Sequence, residues 1–405
     1  LKVVLRKQSH SYYNLQKFFI ILFIFFITII PGCTPKTFTY TWRRIYGWSG
    51  SETINHIEKT KDGNYILGGM TNSKGFGQDD FYLLKIDNFG NILWDFVYGG
   101  ENDDTLNCIK ETSDNGFICI GESYSFGIAN NKDLYIFKLN SKNEILWAKN
   151  LGGKDVDGGR WVEETSDSGY IAVGWTRSFG SGASDFYIIK LDSSGNLTWT
   201  KTWGGSAFDE AYSVIETEDK GYLVVGYTIS FGKGAKDVAI VKLDDQGNIC
   251  WYKTYGGSKD DVGVSIKKLE DGNYIVVGYT SSFGNGNTDV YVIKIDNNGE
   301  LIWEKTFGGE QDDIANDSII TSDGNLLIVG WTKSFSAKDR DIYILKISKD
   351  GDLIWQKNYG GENMDEGRTV VETNDKGYIV AGMTLSFDSL GSDIIILKFD
   401  QQGKI

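Results

Sequence analysis

The sequence predicts an all-β fold, a seven-bladed β-propeller of four-stranded antiparallel blades, on three observations. Tryptophan recurs at Trp42, Trp94, Trp147, Trp199, Trp251, Trp303 and Trp355, with gaps of 52, 53, 52, 52, 52 and 52 residues. A fixed period of that size marks an array of units, none of which can bury its apolar face alone. Each period holds four short apolar runs divided by Gly/Asp turns, with no helical periodicity after residue 38. Fifty glycines against two prolines suit many tight turns joined to strands that need every backbone N–H. With 405 residues, 40% of them hydrophobic, the chain has apolar material enough for one large closed array.

Taking the elements in order, residues 1–17 carry four basic side chains and no acidic one, and Phe18 to Ile30 form a 13-residue apolar run broken only by Thr28. That is the layout of a secretory signal peptide, and it is short for a helix that crosses a bilayer. Ile30-Pro31-Gly32-Cys33 is similar to a bacterial lipoprotein box, in which an aliphatic residue three before a cysteine and a small residue just before it precede lipidation. Pro31 departs from the usual middle residue. The resemblance implies a signal peptide over 1–32, lipidation at Cys33, a short linker over 33–38 and the repeat array over 39–405. An uncleaved signal anchor is the alternative. Both place the body outside the cytoplasm, at the cell surface or in the periplasm, tethered to a membrane at its N-terminal end.

The third unit shows the repeat. Asp157 to Thr165 reads as a first strand, Ser166 to Gly169 as a turn and Tyr170 to Thr176 as a second strand. The aspartate of that turn recurs as Asp62, Asp114, Asp167, Asp219, Asp271, Asp323 and Asp375, followed by Gly-Asn, Asn-Gly, Ser-Gly or Lys-Gly. Such pairs suit a tight hairpin that needs positive φ. A longer loop, Arg177 to Ser184, leads to a third strand over Asp185 to Asp192, and Ser193-Ser194-Gly195 turns into the strand of Trp199.

Seven hairpin units begin near Glu52, Asp104, Asp157, Asp209, Asp261, Asp313 and Asp365, and the last stops at Asp400 to Ile405, before any tryptophan strand. A lone tryptophan strand, Thr39 to Tyr46, precedes the first unit. It should complete the seventh blade, joining the two ends of the array and removing exposed sheet edges. Cys108, Cys119 and Cys250 lack paired or metal-ligand spacing and read as small buried residues, with Cys119 facing Thr112.

Leu191-Asp192-x-x-Gly195-x-x-x-Trp199 is similar to the tryptophan-docking motif of quinoprotein-type (PQQ-like) propeller repeats, one residue shorter between Asp and Gly. The full repeat, with its Gly-Gly pair, Ser-Phe-Gly loop and Lys-Leu-Asp strand, resembles a group of secreted bacterial and archaeal repeat proteins. The resemblance spans 39–405 and speaks for fold, not function. It implies that each tryptophan strand is outermost and the strand after it innermost. The Gly-Gly loop before each first strand and the Ser-Phe-Gly loop then share one face, where a functional site belongs, near the central channel. The adjacent cysteines of many quinoprotein dehydrogenases are absent, so PQQ is not carried over and no cofactor is expected.

The formal charge is −14, and removing the leader cations Lys2, Arg6, Lys7 and Lys17 takes it to about −18. Such a surface repels phosphates and excludes nucleic acid as a partner. Glu52, Asp104, Asp157, Asp209, Asp261, Asp313 and Asp365, one per blade, should ring the mouth. They form either a calcium site or carboxylates that each accept N–H bonds from their own glycine loop; strict repetition suits the second. The lysine of each third strand (Lys190) and the aspartate five before it (Asp185) suit interblade pairing and strand starts.

Residues that break the repeat are the ligand-binding candidates. Trp48 replaces the second glycine of a Gly-Gly pair. Arg160 and Trp161 are adjacent on one inner strand, Tyr212 and Arg368 occupy the slot of Arg160, and His56 that of Trp161. Aromatics beside acids and arginines suit sugar rings, whereas Trp175, Tyr227, Tyr279 and Trp331 on the second strands read as packing between blades. His56 is the sole histidine after the leader, and no nucleophile elbow or phosphate loop occurs, so no catalytic residue is assigned. The expected function is a non-catalytic, envelope-anchored platform for a protein or other envelope partner. The alternative is a carbohydrate-binding propeller, and the third choice a glycan-degrading or redox enzyme.

Overall fold

The computed structural model describes residues 40–128, 131–335, 337–387, 389 and 391–405. The signal peptide and the lipidation expected at Cys33 lie outside the described residues. Among the described residues twenty-eight strands pair into seven four-stranded antiparallel sheets. In the third, Asp157–Glu164, Tyr170–Thr176, Asp185–Leu191 and Leu197–Trp203 lie side by side in chain order. First strands touch first strands all the way round: Glu52–Lys59 meets both Asp104–Glu111 and Asp365–Glu372. They surround a central channel, and the tryptophan strands form the circumference.

The seventh sheet is closed by the two ends of the array. Trp42–Tyr46 pairs antiparallel with Asp393–Phe399, Trp42 opposite Lys398 and Tyr46 opposite Ile394. The chain thus makes the seven-bladed propeller and the closure that the repeat predicts. No blade buries its faces alone. Ile171, Val173, Phe186 and Ile188 of the third blade pack with Ala211, Val214, Val224 and Ala239 of the fourth, so each apolar sheet face is covered only by its neighbour.

Every hairpin between first and second strands has positive φ at one slot, taken by Gly63, Asn115, Ser168, Lys220, Gly272, Gly324 and Lys376. The turn encloses Ser113, Asp114 and Asn115, with Glu111 opposite Phe117. Cys119 therefore faces Ile109, not Thr112. Cys108 and Cys119 are buried, but Cys250 is exposed because it opens an outer strand, where the next blade no longer covers the sheet.

The third-strand lysines also differ from expectation. Lys190 Nζ lies 2.9 Å from Asp167, and the same pair recurs in the other six blades, as in Lys138–Asp114 and Lys242–Asp219. The ion pair ties third strand to first hairpin within a blade; at Lys346 the same ammonium also donates to the Tyr378 hydroxyl of the next blade at 2.8 Å. The pairing knits the face that carries the short turns.

Candidate functional site at the channel mouth

Each inner strand carries a β-bulge, seen as a slip in register such as that between Gly159 and Trp161. The bulged residues are Asn55, Asn107, Arg160, Tyr212, Val264, Asn316 and Arg368, all half-buried and, apart from Trp161 beside Arg160, flanked by buried residues. A glycine of the second strand stands against each bulge. A Cβ on Gly174 would lie 1.9 Å from the Gly158 carbonyl oxygen, so only glycine accepts the displaced backbone. The bulge re-aims one side chain per blade toward the channel near the loop-rich face.

Two of the sequence candidates, Arg160 and Tyr212, meet there, and a third, Arg368, stands apart in the seventh blade. Arg160 reaches Glu122 of the second blade, Nη1 to Oε1 3.3 Å, and lays its guanidinium 5.6 Å from the centre of the Tyr212 ring. Burial opposes the charge of Arg160, but Glu122, Tyr212 and Glu210 outweigh it and push its pKa up. Glu122 also takes Lys132 at 2.6 Å. Across the mouth Arg368 bonds Asn55 Oδ1 at 2.6 Å and shares Glu366 with Arg340. There burial wins, and the pKa of Arg368 is pulled down against the attraction of Glu366. Arg340 stacks on Trp331 at 4.4 Å.

The other two inner-strand candidates meet deeper. The His56 and Trp161 rings touch edge to face, centroids 4.9 Å apart. Lys110 and Lys267 place their ammonium groups 4.9 and 5.2 Å from the Trp161 ring centre. Lys110 sits between Glu58 at 3.2 Å and Glu163 at 3.5 Å, and Trp161 Nε1 donates to Glu163 at 2.9 Å. Groups from the first, second and fifth blades thus converge on an indole of the third. The mouth is a cup with Trp161 at its floor.

The seven repeated acids are wholly buried, and each is engaged by nearby loops. Asp157 Oδ2 accepts the Gly153 N–H and the Ser178 hydroxyl, both at 2.7 Å, while Oδ1 takes the Thr176 hydroxyl. Gly100, Gly205, Gly257, Gly309 and Gly361 donate in the same way to the next acid, and the Trp48 N–H to Glu52. Each carboxylate clamps the Gly-Gly loop to the end of the second strand. Among the described residues no three His, Cys, Asp or Glu side chains are grouped as a metal would need.

Trp48 stands apart from the other candidates. In six blades a phenylalanine takes one slot of the loop after the second strand, and in five of them it lies near the second glycine of the pair, as Phe179 does near Gly153. In the first blade Lys74 takes the phenylalanine slot and Trp48 the glycine slot, and the ammonium sits 3.6 Å from the indole centre. The two changes compensate in volume, and Trp48 packs edge-on against Tyr82 at 5.8 Å. The six phenylalanines stand on the loop-rich face. Phe179, Phe283 and Phe335 are 44, 40 and 38% exposed, each leaning on the third-strand tyrosine below it.

The sequence reading missed Glu122, Lys132, Lys236 and Arg340 at the mouth and Lys110, Glu58 and Glu163 below it. Two signals were present. Buried positions of each inner strand recur after three residues, as Ile54 and Ile57 or Ala211 and Val214, and every second strand holds an internal glycine; both mark a bulge. The slot before each third-strand aspartate also alternates, with Lys132, Lys236 and Arg340 in even blades only.

Comparison with known proteins agrees with this architecture. A family described as a β-propeller domain of unknown function (DUF5122) matches residues 269–301. Regulatory protein FlaEY of Caulobacter vibrioides is 27% identical over 189 residues, which are 43% of this chain and 20% of that protein. The matched stretch is thus about a fifth of that relative's length. The WD40 domain of Neurospora crassa Pan2 superposes with a TM-score of 0.52 at 12% identity, over 88% of this chain and 92% of that one. Drosophila Plexin A, solved with Semaphorin 1b, gives 0.51 at 9% identity, over 88% and 86%. At such identities the shared property is the propeller fold.

Proposed function

We propose that this protein is a non-catalytic interaction platform of the cell envelope that engages a protein partner through its loop-rich face. The observation that carries the reading is the crown of six phenylalanines, with Trp48 in the seventh blade junction, around a shallow cup floored by Trp161. Half-exposed aromatic rings on a broad face suit anchors for a protein surface. The basic N-terminal stretch, apolar run and Cys33 support an extracytoplasmic lipoprotein tethered to a membrane. A sugar-binding reading needs open aromatic faces at the mouth, and Trp175, Tyr227 and Trp331 are 7, 5 and 9% exposed, so the platform reading is preferred.

The test compares the chain with a Phe179→Ser, Phe283→Ser, Phe335→Ser variant as baits for envelope extract. The expected result is a partner retained by the native face and lost from the variant at unchanged melting temperature. Equal retention by both baits, or by neither, would overturn the reading. Radiolabelled palmitate should enter the full chain and not its Cys33→Ala variant.

A further inference from the structure

We propose that the cup at the channel mouth receives an acidic peptide segment of that partner, its carboxylates held by Arg160, Arg177 and Lys236. This rests on the loop-rich face being the interaction surface.

The first support is a local excess of positive charge on a chain of net charge −14. Between the second and third blades, Arg160 shares Glu122 with Lys132. Arg177 and Lys236 form no ion pair within 4.0 Å among the described residues. Arg177 lies 5.6 Å from the Trp175 ring centre and 5.5 Å from that of Phe208, and Lys236 4.4 Å from that of Tyr227. Aromatic faces hold these cations in place without neutralising them. A second acid, Glu210, accepts from the Tyr212 hydroxyl at 3.5 Å. Four cations, Lys132, Arg160, Arg177 and Lys236, against Glu122 and Glu210 leave a local excess of positive charge, which attracts a ligand of the other sign.

The second support is independent. Trp175 Nε1 and Arg160 Nε are buried donors with no hydrogen-bond partner, and so is the acceptor Glu122 Oε1, which lies with Trp175 Nε1 beside Gly158, so the cluster has two such donors and one such acceptor; Trp175 is only 7% exposed. Buried N–H groups in folded proteins are almost always paired, and an orphan is unfavourable until an acceptor arrives. A carboxylate brings two acceptor oxygens and matches the planar fork of a guanidinium. The same cluster suits a sugar less well, because its ring faces are already covered by cations or by neighbouring blades. With Trp161 closing the floor, the segment enters as a loop or a chain end and does not thread the channel.

The test measures binding of a fluorescent oligo-glutamate peptide to residues 39–405, which form one compact unit. Binding should weaken as salt is raised, and oligo-glutamine should not bind. Lys236→Gln and Arg177→Gln orphan no acid and should fold normally; each should weaken binding about tenfold. No oligo-glutamate binding, binding indifferent to both variants, or preference for oligogalacturonate would overturn the proposal. The two readings fail separately. Partner retention that survives loss of the phenylalanine crown sinks the platform and leaves oligo-glutamate binding standing. Crown-dependent retention with a cup indifferent to both cation variants sinks this proposal alone.

Discussion

His56 and Trp161 come from the first and third blades, yet their rings meet edge to face at 4.9 Å across the central channel. The contact makes Trp161 a wedge between inner strands that share no hydrogen bonds. Trp161→Ala should cost about 3 kcal/mol in denaturant unfolding, the low end for a buried aromatic because the ring is only half-buried. Trp161→Phe should recover most of it. An alanine variant as stable as the native chain would show that the wedge carries no load.

The same contact sets a pH dependence. Burial, then the charges of Lys110 and Lys267, holds the His56 pKa well below its ordinary 6.5. The folded state keeps the ring neutral while the unfolded chain takes up a proton. Stability is therefore full above about pH 6.5 and falls as the pH drops below it. His56→Phe should flatten that part of the profile in thermal melts between about pH 7 and about pH 5. An unchanged slope would count against the buried neutral ring.

The repeated acids should behave as loop clamps. Asp209 accepts the Gly205 N–H at 2.8 Å, the Ser230 hydroxyl at 2.6 Å and the Thr228 hydroxyl. Asp209→Ala should cost roughly 2 kcal/mol by orphaning these donors. Calcium or a chelator should leave the melting temperature of the native protein where it was. A rise with calcium would mean that the ring takes an ion.

Two sets of aspartates titrate in opposite senses. Burial is the largest influence on Asp80, and repulsion from Asp104 adds to it against the Phe76 N–H; the pKa rises from 3.8 to about 6. Its contribution is complete below 3.8 and is lost as the pH climbs through about 6. Asp167 is the reverse. Burial would raise its pKa, but the Thr165 hydroxyl, Lys190 and the Gly169 N–H bring it to about 2, so its contribution holds above 3.8 and fades toward 2. Asp80→Asn should gain on the native chain at mildly alkaline pH by on the order of 1 kcal/mol and lose that gain in acid. Parallel unfolding curves at both pH values would refute it.

Closure depends on a short strand. Removing Tyr40 to Tyr46 strips the partner from Asp393–Phe399 and exposes an unpaired, apolar edge. The shortened chain should melt lower and self-associate in size-exclusion chromatography, while adding back the missing strand as a peptide should suppress association. A monomer of native stability would show that the other six junctions suffice.

The period of Trp42 to Trp355, the hairpins around residues such as Asp167 and Gly169, and the unpartnered strand at Trp42 determine blade count, strand order and closure. These are short-range patterns repeated in register, and each copy constrains the next. The clamp role of Asp157 was legible for the same reason, since its donors lie on the loops beside it. The mouth was not. A one-residue slip at each bulge breaks the alternation by which Arg160 and Tyr212 would be assigned a face. Nothing local to Glu122 says that it meets Arg160 of another blade, and nothing local to Trp161 says that it reaches His56 two blades away. Those contacts exist only once the ring has closed and its curvature has brought inner strands with no mutual hydrogen bonds to the same axis.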